Sequence, residues 1–406
     1  MKTILATAYA INPYKGSEDG MGWNFVLQIA RFNKVVAITR ENNRPHIEKY
    51  IEENPSELYQ NITFRYFDTP YWMRFWKKGG RGAMLYYLLW QRMVVSFIRK
   101  SGITYDIVHN VNFHNDWTPS YLWKLGKPFV WGPVGHHPKI PLQYLKPYSY
   151  IYVFSDRLIW FIKHLFWKLS LGLKKTIRKA DFILAMNSSV KDVISLQDGK
   201  HCISPSVATA DFGWDETLES DSFSLISVGR LVPLKGFDLT IRSFASFYHN
   251  LTENQKKKVR LTIVGSGPEQ ELLKKIATDE HVLDRVDFIN WIDRSDVLEL
   301  FRKASLFVFP SHEGAGMVVP EALSFGTPVI AIDNNGPGEF ITPECGIAVP
   351  IGSYEETVSN ISKAISSLYD DKARLKSMRK AARKHFLDTF HWDRRGEQLK
   401  KIYQRL

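Results

Sequence analysis

Residues 306–332 read LFVFPSHEGAGMVVPEALSFGTPVIAI, and this stretch decides the fold. Its apolar run Leu306-Phe307-Val308-Phe309 reads as a buried strand stopped by Pro310, and Val329-Ile330-Ala331-Ile332 as a parallel neighbour. A short helix over 320–325 joins them. Pro320 suits a first turn, where its missing N–H costs nothing, and Gly326 followed by Pro328 stops the helix. The helix start faces the loop 311–317, whose Gly314 and Gly316 allow close approach to backbone N–H groups. Such an end favours anions, yet Glu313 and Glu321 stand on either side of it. Amides that hold a phosphate and carboxylates that accept from vicinal hydroxyls together suit a sugar nucleotide. By spacing alone, Glu313 can equally be a solvated loop residue and Glu321 a favourable first-turn charge.

Working outward, 406 residues suffice for two domains, each with its own core, and 44% apolar with 24% charged residues is ordinary for a soluble globular chain. The net charge of +12 calls for an anionic partner: nucleic acid, a membrane surface or a phosphorylated substrate. Only Cys202 and Cys345 are present, so neither a disulfide framework nor a zinc spacing is expected and a reducing cytoplasm fits. Residues 1–10 read as mature first strand rather than as a leader. The apolar segment 84–98 is broken by Gln91 and Arg92, so no transmembrane anchor is expected.

Strands are expected at 3–8, 35–39, 62–67, 105–109, 129–131 and 182–186, alternating with helices as in a parallel sheet covered on both faces. After the first strand, a loop over 15–23 carries Gly16, Gly20 and Gly22, and a helix follows from about Asn24. The polar stretch 204–221 is taken as a linker. A second series then begins, with strands at 223–228, 261–264, 286–289, 306–309, 329–332 and 347–349 and helices near 238–248, 268–278 and 294–303. Two Rossmann-like halves of this kind are expected to face each other across a cleft. Segments 71–100 and 148–179 mix aromatic, aliphatic and basic residues, the composition of a surface that meets anionic lipid. Packed aromatics with a solvated basic rim explain the same composition. Nucleic-acid binding is not expected, because no binding motif accompanies the charge.

The first strand of the second half opens into Gly229-Arg230 and Lys235-Gly236, where an Arg fork and a Lys point charge can both reach a diphosphate. The next strand ends in Val264-Gly265-Ser266-Gly267-Pro268. With Glu313-Gly314 to Glu321-Ala322 and Gly326-Thr327-Pro328-Val329, these motifs resemble the retaining GT-B glycosyltransferases of the large family containing sucrose synthase and the mannosyl- and glucosyltransferases of bacterial envelopes. Gly20-Met21-Gly22-Trp23, Trp131-Gly132-Pro133-Val134-Gly135 and Phe390-His391-Trp392-Asp393 are similar to further motifs of that family.

The resemblance implies an N-terminal acceptor-binding domain at 1–204, a nucleotide-sugar domain at 205–385, and a helix over 386–406 that returns to the first domain. It implies that Glu313 contacts the donor sugar, that Glu321 holds the ribose, and that Arg230 and Lys235 neutralise the departing diphosphate. Amides near Gly316, Met317 and Val318 would help, with Gly229, Gly265, Gly20 and Gly22 close to the phosphates and Trp291 and Ile292 near the base. A first-domain histidine at the reacting carbon is implied as well: His109 is preferred over His114. His136 and His137 stand where the family usually has glycines, which bears on the acceptor. The expected activity is metal-independent and retaining, with no cofactor beyond the substrates. A nucleotide sugar and a glycan or lipid-linked acceptor would be the partners, at the cytoplasmic face of a membrane. A sugar-nucleotide epimerase and a non-catalytic binding protein are the competing readings.

Overall fold

In the computed structural model, which describes residues 1–79, 82–111, 115–215 and 221–406, the alternating strands and helices form two parallel sheets. The first contains β1 (Thr3–Thr7), β2 (Lys34–Thr39), β3 (Ile62–Tyr66), β4 (Ile107–Asn110), β5 (Phe129–Val134), β6 (Phe182–Ala185) and β7 (His201–Ile203), in the order β3-β2-β1-β4-β5-β6-β7. The second contains β8 (Phe223–Val228), β9 (Val259–Val264), β10 (Val286–Ile289), β11 (Leu306–Phe309), β12 (Val329–Ile332) and β13 (Gly346–Val349), in the order β10-β9-β8-β11-β12-β13. In each sheet the order reverses beside the first strand, at β1 with β4 and at β8 with β11. In open parallel sheets the loops on either side of such a reversal form the ligand crevice.

Every residue of β11 and β12 is buried, as expected of strands covered on both faces. Leu306, Val308, Ile330 and Ile332 join Leu225, Leu261, Phe244 and Phe247 in the core around the second sheet. A separate core gathers Leu5, Ile38, Trp90, Val94, Val108 and Phe129 around the first.

By contacts the chain divides into unit 1, Met1–His136 with Arg157–Ser206 and Trp392–Leu406, and unit 2, His137–Asp156 with Val207–His391. Residues 137–156 thus go with the second sheet, although the sequence places them in 1–204. Their tyrosines supply the reason. The Tyr144 hydroxyl lies 2.9 Å from the Gly352 carbonyl and 2.7 Å from Thr357 Oγ1, and the Tyr148 hydroxyl donates to Asp238 at 2.5 Å. Tyr354 donates to the other Asp238 oxygen at 2.8 Å. A buried phenol needs a partner for its O–H, and these partners lie in unit 2.

The last helix, Trp392–Arg405, packs within unit 1 on the helix Ser17–Ala30. Asp393 pairs with Arg31 at 2.6 Å, and the Trp392 ring meets Phe25 edge-on. Gly396 permits the approach, since an added Cβ would lie 2.5 Å from Gln28 Oε1. Among the described residues no helix is long and apolar enough to cross a membrane.

Candidate functional site in unit 2

Glycines set the geometry where β8 and β9 end. Gly265 has φ +146°, and a Cβ there would stand 1.9 Å from the Gly229 carbonyl oxygen. A Cβ on Gly267 would stand 2.3 Å from the Leu231 carbonyl oxygen, so the two loops pack backbone on backbone. Gly236, at φ +67°, lets the turn after β8 approach the Pro310 carbonyl at the end of β11. The Leu234 carbonyl then accepts the His312 N–H at 2.9 Å and the Ser311 hydroxyl at 3.2 Å. The loops after β8 and β11 are therefore locked together, on the two sides of the reversal in strand order.

This locking aims Lys235 at Glu313. The ammonium donates to both carboxylate oxygens, at 2.8 and 2.7 Å, with side chains only 16% and 13% exposed. It also lies 5.0 Å from the centre of the Phe309 ring. Gly316 meets the same ring, because a Cβ there would be 3.4 Å from it. Lys235, Glu313 and Gly316 thus share one small neighbourhood floored by Phe309.

The helix beyond the loop spans Val318–Ser324, with Met317 as its cap residue. It starts two residues before Pro320, which still falls in the first turn, where a missing N–H is harmless. Glu321 is buried in this helix and bound by Arg294 at 2.5 Å. Burial pushes its carboxyl above the ordinary carboxylate range, and the Arg294 charge opposes that. Arg294 opens the helix Arg294–Lys303, just after exposed Trp291 and half-buried Ile292.

Residues unmarked by the sequence motifs support the loop. His137 Nδ1 accepts the Gly314 N–H at 2.9 Å, and the His312 ring lies 4.8 Å from Tyr144. Burial lowers His312 to about 4, so it is neutral at pH 7. The pair His136-His137 was visible as a departure from glycine, but only the fold shows that His137 braces the Glu313 loop.

Arg230 is exposed, and its charge is felt by the Tyr152 phenol, which burial raises and Arg230 lowers. The contact to Glu313 is made by Lys235 and the contact to Glu321 by Arg294.

His109 lies in unit 1, on β4. Its ring is fully buried, with Nε2 2.7 Å from the Gly132 carbonyl and Nδ1 2.6 Å from the Tyr403 hydroxyl. A carbonyl can only accept, so Nε2 carries the proton and Nδ1 accepts from Tyr403. Burial lowers this histidine to about 4, and both nitrogens are spent tying β4 to β5 and to the last helix. His114 lies outside the described residues.

Gly20 and Gly22, also in unit 1, are helical rather than in a loop, because the helix begins at Ser17. Gly20 is required there, since a Cβ would stand 2.3 Å from the Lys15 carbonyl oxygen. Among the described residues no three His, Cys, Asp or Glu side chains are placed to hold a metal ion.

Residues 211–385 match the family described as glycosyl transferases group 1. The chain is 33% identical over 183 residues to a GDP-mannose-dependent monoacylated alpha-(1-6)-phosphatidylinositol monomannoside mannosyltransferase of Corynebacterium glutamicum, covering 43% of this chain and 45% of that protein. Matches to such relatives span less than half of their own length. Among solved structures, a sucrose-phosphate synthase from Thermosynechococcus elongatus superposes with a TM-score of 0.67 at 18% identity, over 100% of this chain and 99% of that one. An Anabaena protein in complex with UDP and glucose gives 0.64 at 15% identity, over 100% of both chains.

Proposed function

Residues 211–385 are a glycosyltransferase group 1 domain in a chain of GT-B fold, and from that premise we propose that the protein moves a sugar, with retention of configuration, from a nucleoside diphosphate to a glycan or lipid-linked acceptor. The observation that carries the proposal is the Lys235–Glu313 contact beside Gly316. A diphosphate entering this neighbourhood gives Lys235 a new anionic partner, and Glu313 is then released to accept from sugar hydroxyls. As the bond from the sugar carbon to the diphosphate oxygen breaks, negative charge grows on that oxygen. A fixed ammonium meets the charge without reorganisation, which lowers the barrier. The acceptor oxygen bonds to the same face of the carbon, and its proton leaves with the diphosphate. Glu321, held by Arg294, receives the ribose hydroxyls.

No metal or cofactor is needed in this scheme, since Lys235 supplies the charge that a bridging cation would. The absence of any Asp-x-Asp triplet in the sequence supports that reading. The Corynebacterium relative, whose substrate is a phosphatidylinositol mannoside, supports a role in envelope glycolipid or polysaccharide synthesis.

The test is incubation with GDP-mannose or UDP-glucose and a membrane lipid extract, in the presence of a chelator, with the product anomer read by NMR. An α-linked product is expected. A β-linked product overturns retention, and an isomerised nucleotide sugar without transfer overturns transfer in favour of epimerisation.

A further inference from the structure

The helix Tyr150–Leu169 has no buried residue along its twenty positions. Within unit 1, one face of it turns inward. Trp160 and Trp167 lie with ring centres 5.6 and 5.5 Å from His136, and Phe166 lies 5.0 Å from Trp117. Leu158, Phe161, Ile162, Leu165 and Leu169 follow at steps of three and four, so they line the opposite face. All five are exposed, Phe161 by 61% and Leu169 by 68%, and Leu171 continues the stripe at 72%. Leaving that much apolar surface on one helix in water is unfavourable unless something covers it.

The charges around the stripe identify the cover. Residues 157–179 contain Arg157, Lys163, Lys168, Lys174, Lys175, Arg178 and Lys179, and no Asp or Glu. Lys168, Lys174, Lys175, Arg178 and Lys179 are exposed. A second copy docked on the same face would set these five exposed cations against five, which disfavours self-association. An anionic bilayer takes both features at once. Its interface accepts the apolar stripe to about 5–10 Å depth, and its headgroups attract each nearby cation by roughly 1 kcal/mol.

We propose that the apolar stripe on residues 158–171 lies in the interface of an anionic membrane, with the exposed cations Lys168, Lys174, Lys175, Arg178 and Lys179 on its headgroups. This rests on and deepens the membrane reading above, and it is independent of the transfer chemistry in unit 2.

The experiment is co-sedimentation of the full chain with vesicles of phosphatidylcholine alone or mixed equally with phosphatidylglycerol. Wild type is compared with Leu158→Glu/Leu165→Glu and with Lys174→Glu/Lys175→Glu, and thermal melting serves as the control for folding. The wild type is expected to bind the mixed vesicles at least about tenfold better than the neutral ones, and each double variant to lose about tenfold or more. Transfer to a soluble acceptor is expected to persist in both variants, so failure of the membrane claim and failure of the transfer claim are told apart. Should the apolar variant not fold, the lysine variant decides alone. Equal binding to both vesicle types, unchanged binding by a folded double variant, or a dimer in light scattering that Leu158→Glu/Leu165→Glu abolishes would each overturn the proposal.

Discussion

Replacing Lys235 by alanine removes the ammonium that bridges Glu313 and, in the proposed reaction, the departing diphosphate. One fixed donor at a developing oxyanion contributes about 3 kcal/mol, so kcat is expected to fall by roughly 10²–10³. The same change leaves Glu313, 13% exposed, without its cation. Because the site retains contact with water, that loss is set at about 1 kcal/mol, which lowers Tm by roughly 2–4 °C for a unit of this size. The two effects separate in a cycle with Glu313→Gln, read by steady-state transfer and by thermal melting. If Lys235 meets the diphosphate directly, adding Lys235→Ala to the Glu313→Gln protein lowers kcat further, by at least tenfold, while stability changes little. If Lys235 serves only to neutralise Glu313, the double variant turns over as fast as Glu313→Gln alone. That second result, or a kcat for Lys235→Ala within threefold of wild type, refutes the reasoning.

The other expectations concern the supports of the site. Arg294→Ala removes a half-exposed cation worth about 1 kcal/mol to Glu321, so the donor KM is expected to rise roughly fivefold with kcat nearly unchanged. Burial raises the Glu321 pKa, so on acidification this carboxylate takes its proton before an ordinary one near ~4.3 does. Donor KM should accordingly rise as pH falls while kcat is still level, and Arg294→Ala should move that rise to higher pH. Asp238→Leu strands the buried Tyr148 hydroxyl and that of Tyr354; a loss of about 3 kcal/mol is expected in denaturant melts, and Asp238→Asn should lose less.

The sheets were legible in the sequence because their strands are unbroken apolar runs ended by glycine or proline, as at Val228-Gly229, Val264-Gly265 and Phe309-Pro310. The close-packed glycines of the β8 and β9 loops were legible for the same reason. Local pattern failed where a distant partner overrides it. Gly20 reads as a loop residue, yet it is a helical position cleared for the Lys15 carbonyl. Tyr148 opens a segment that reads as interfacial until Asp238 appears as the partner for its hydroxyl. His109 ends a strand, as a site histidine would, but Tyr403 and Gly132 claim both of its nitrogens. Arg294 carries no local mark at all, since an arginine opening a helix is unremarkable until Glu321 is found beside it.

The central claim is that Lys235 grips a diphosphate, and titration calorimetry tests it most directly by comparing nucleoside diphosphate with monophosphate on wild type and Lys235→Ala. The account predicts that wild type prefers the diphosphate by about tenfold or more, and that the preference disappears in the variant. A preference of the same size in both proteins would contradict it.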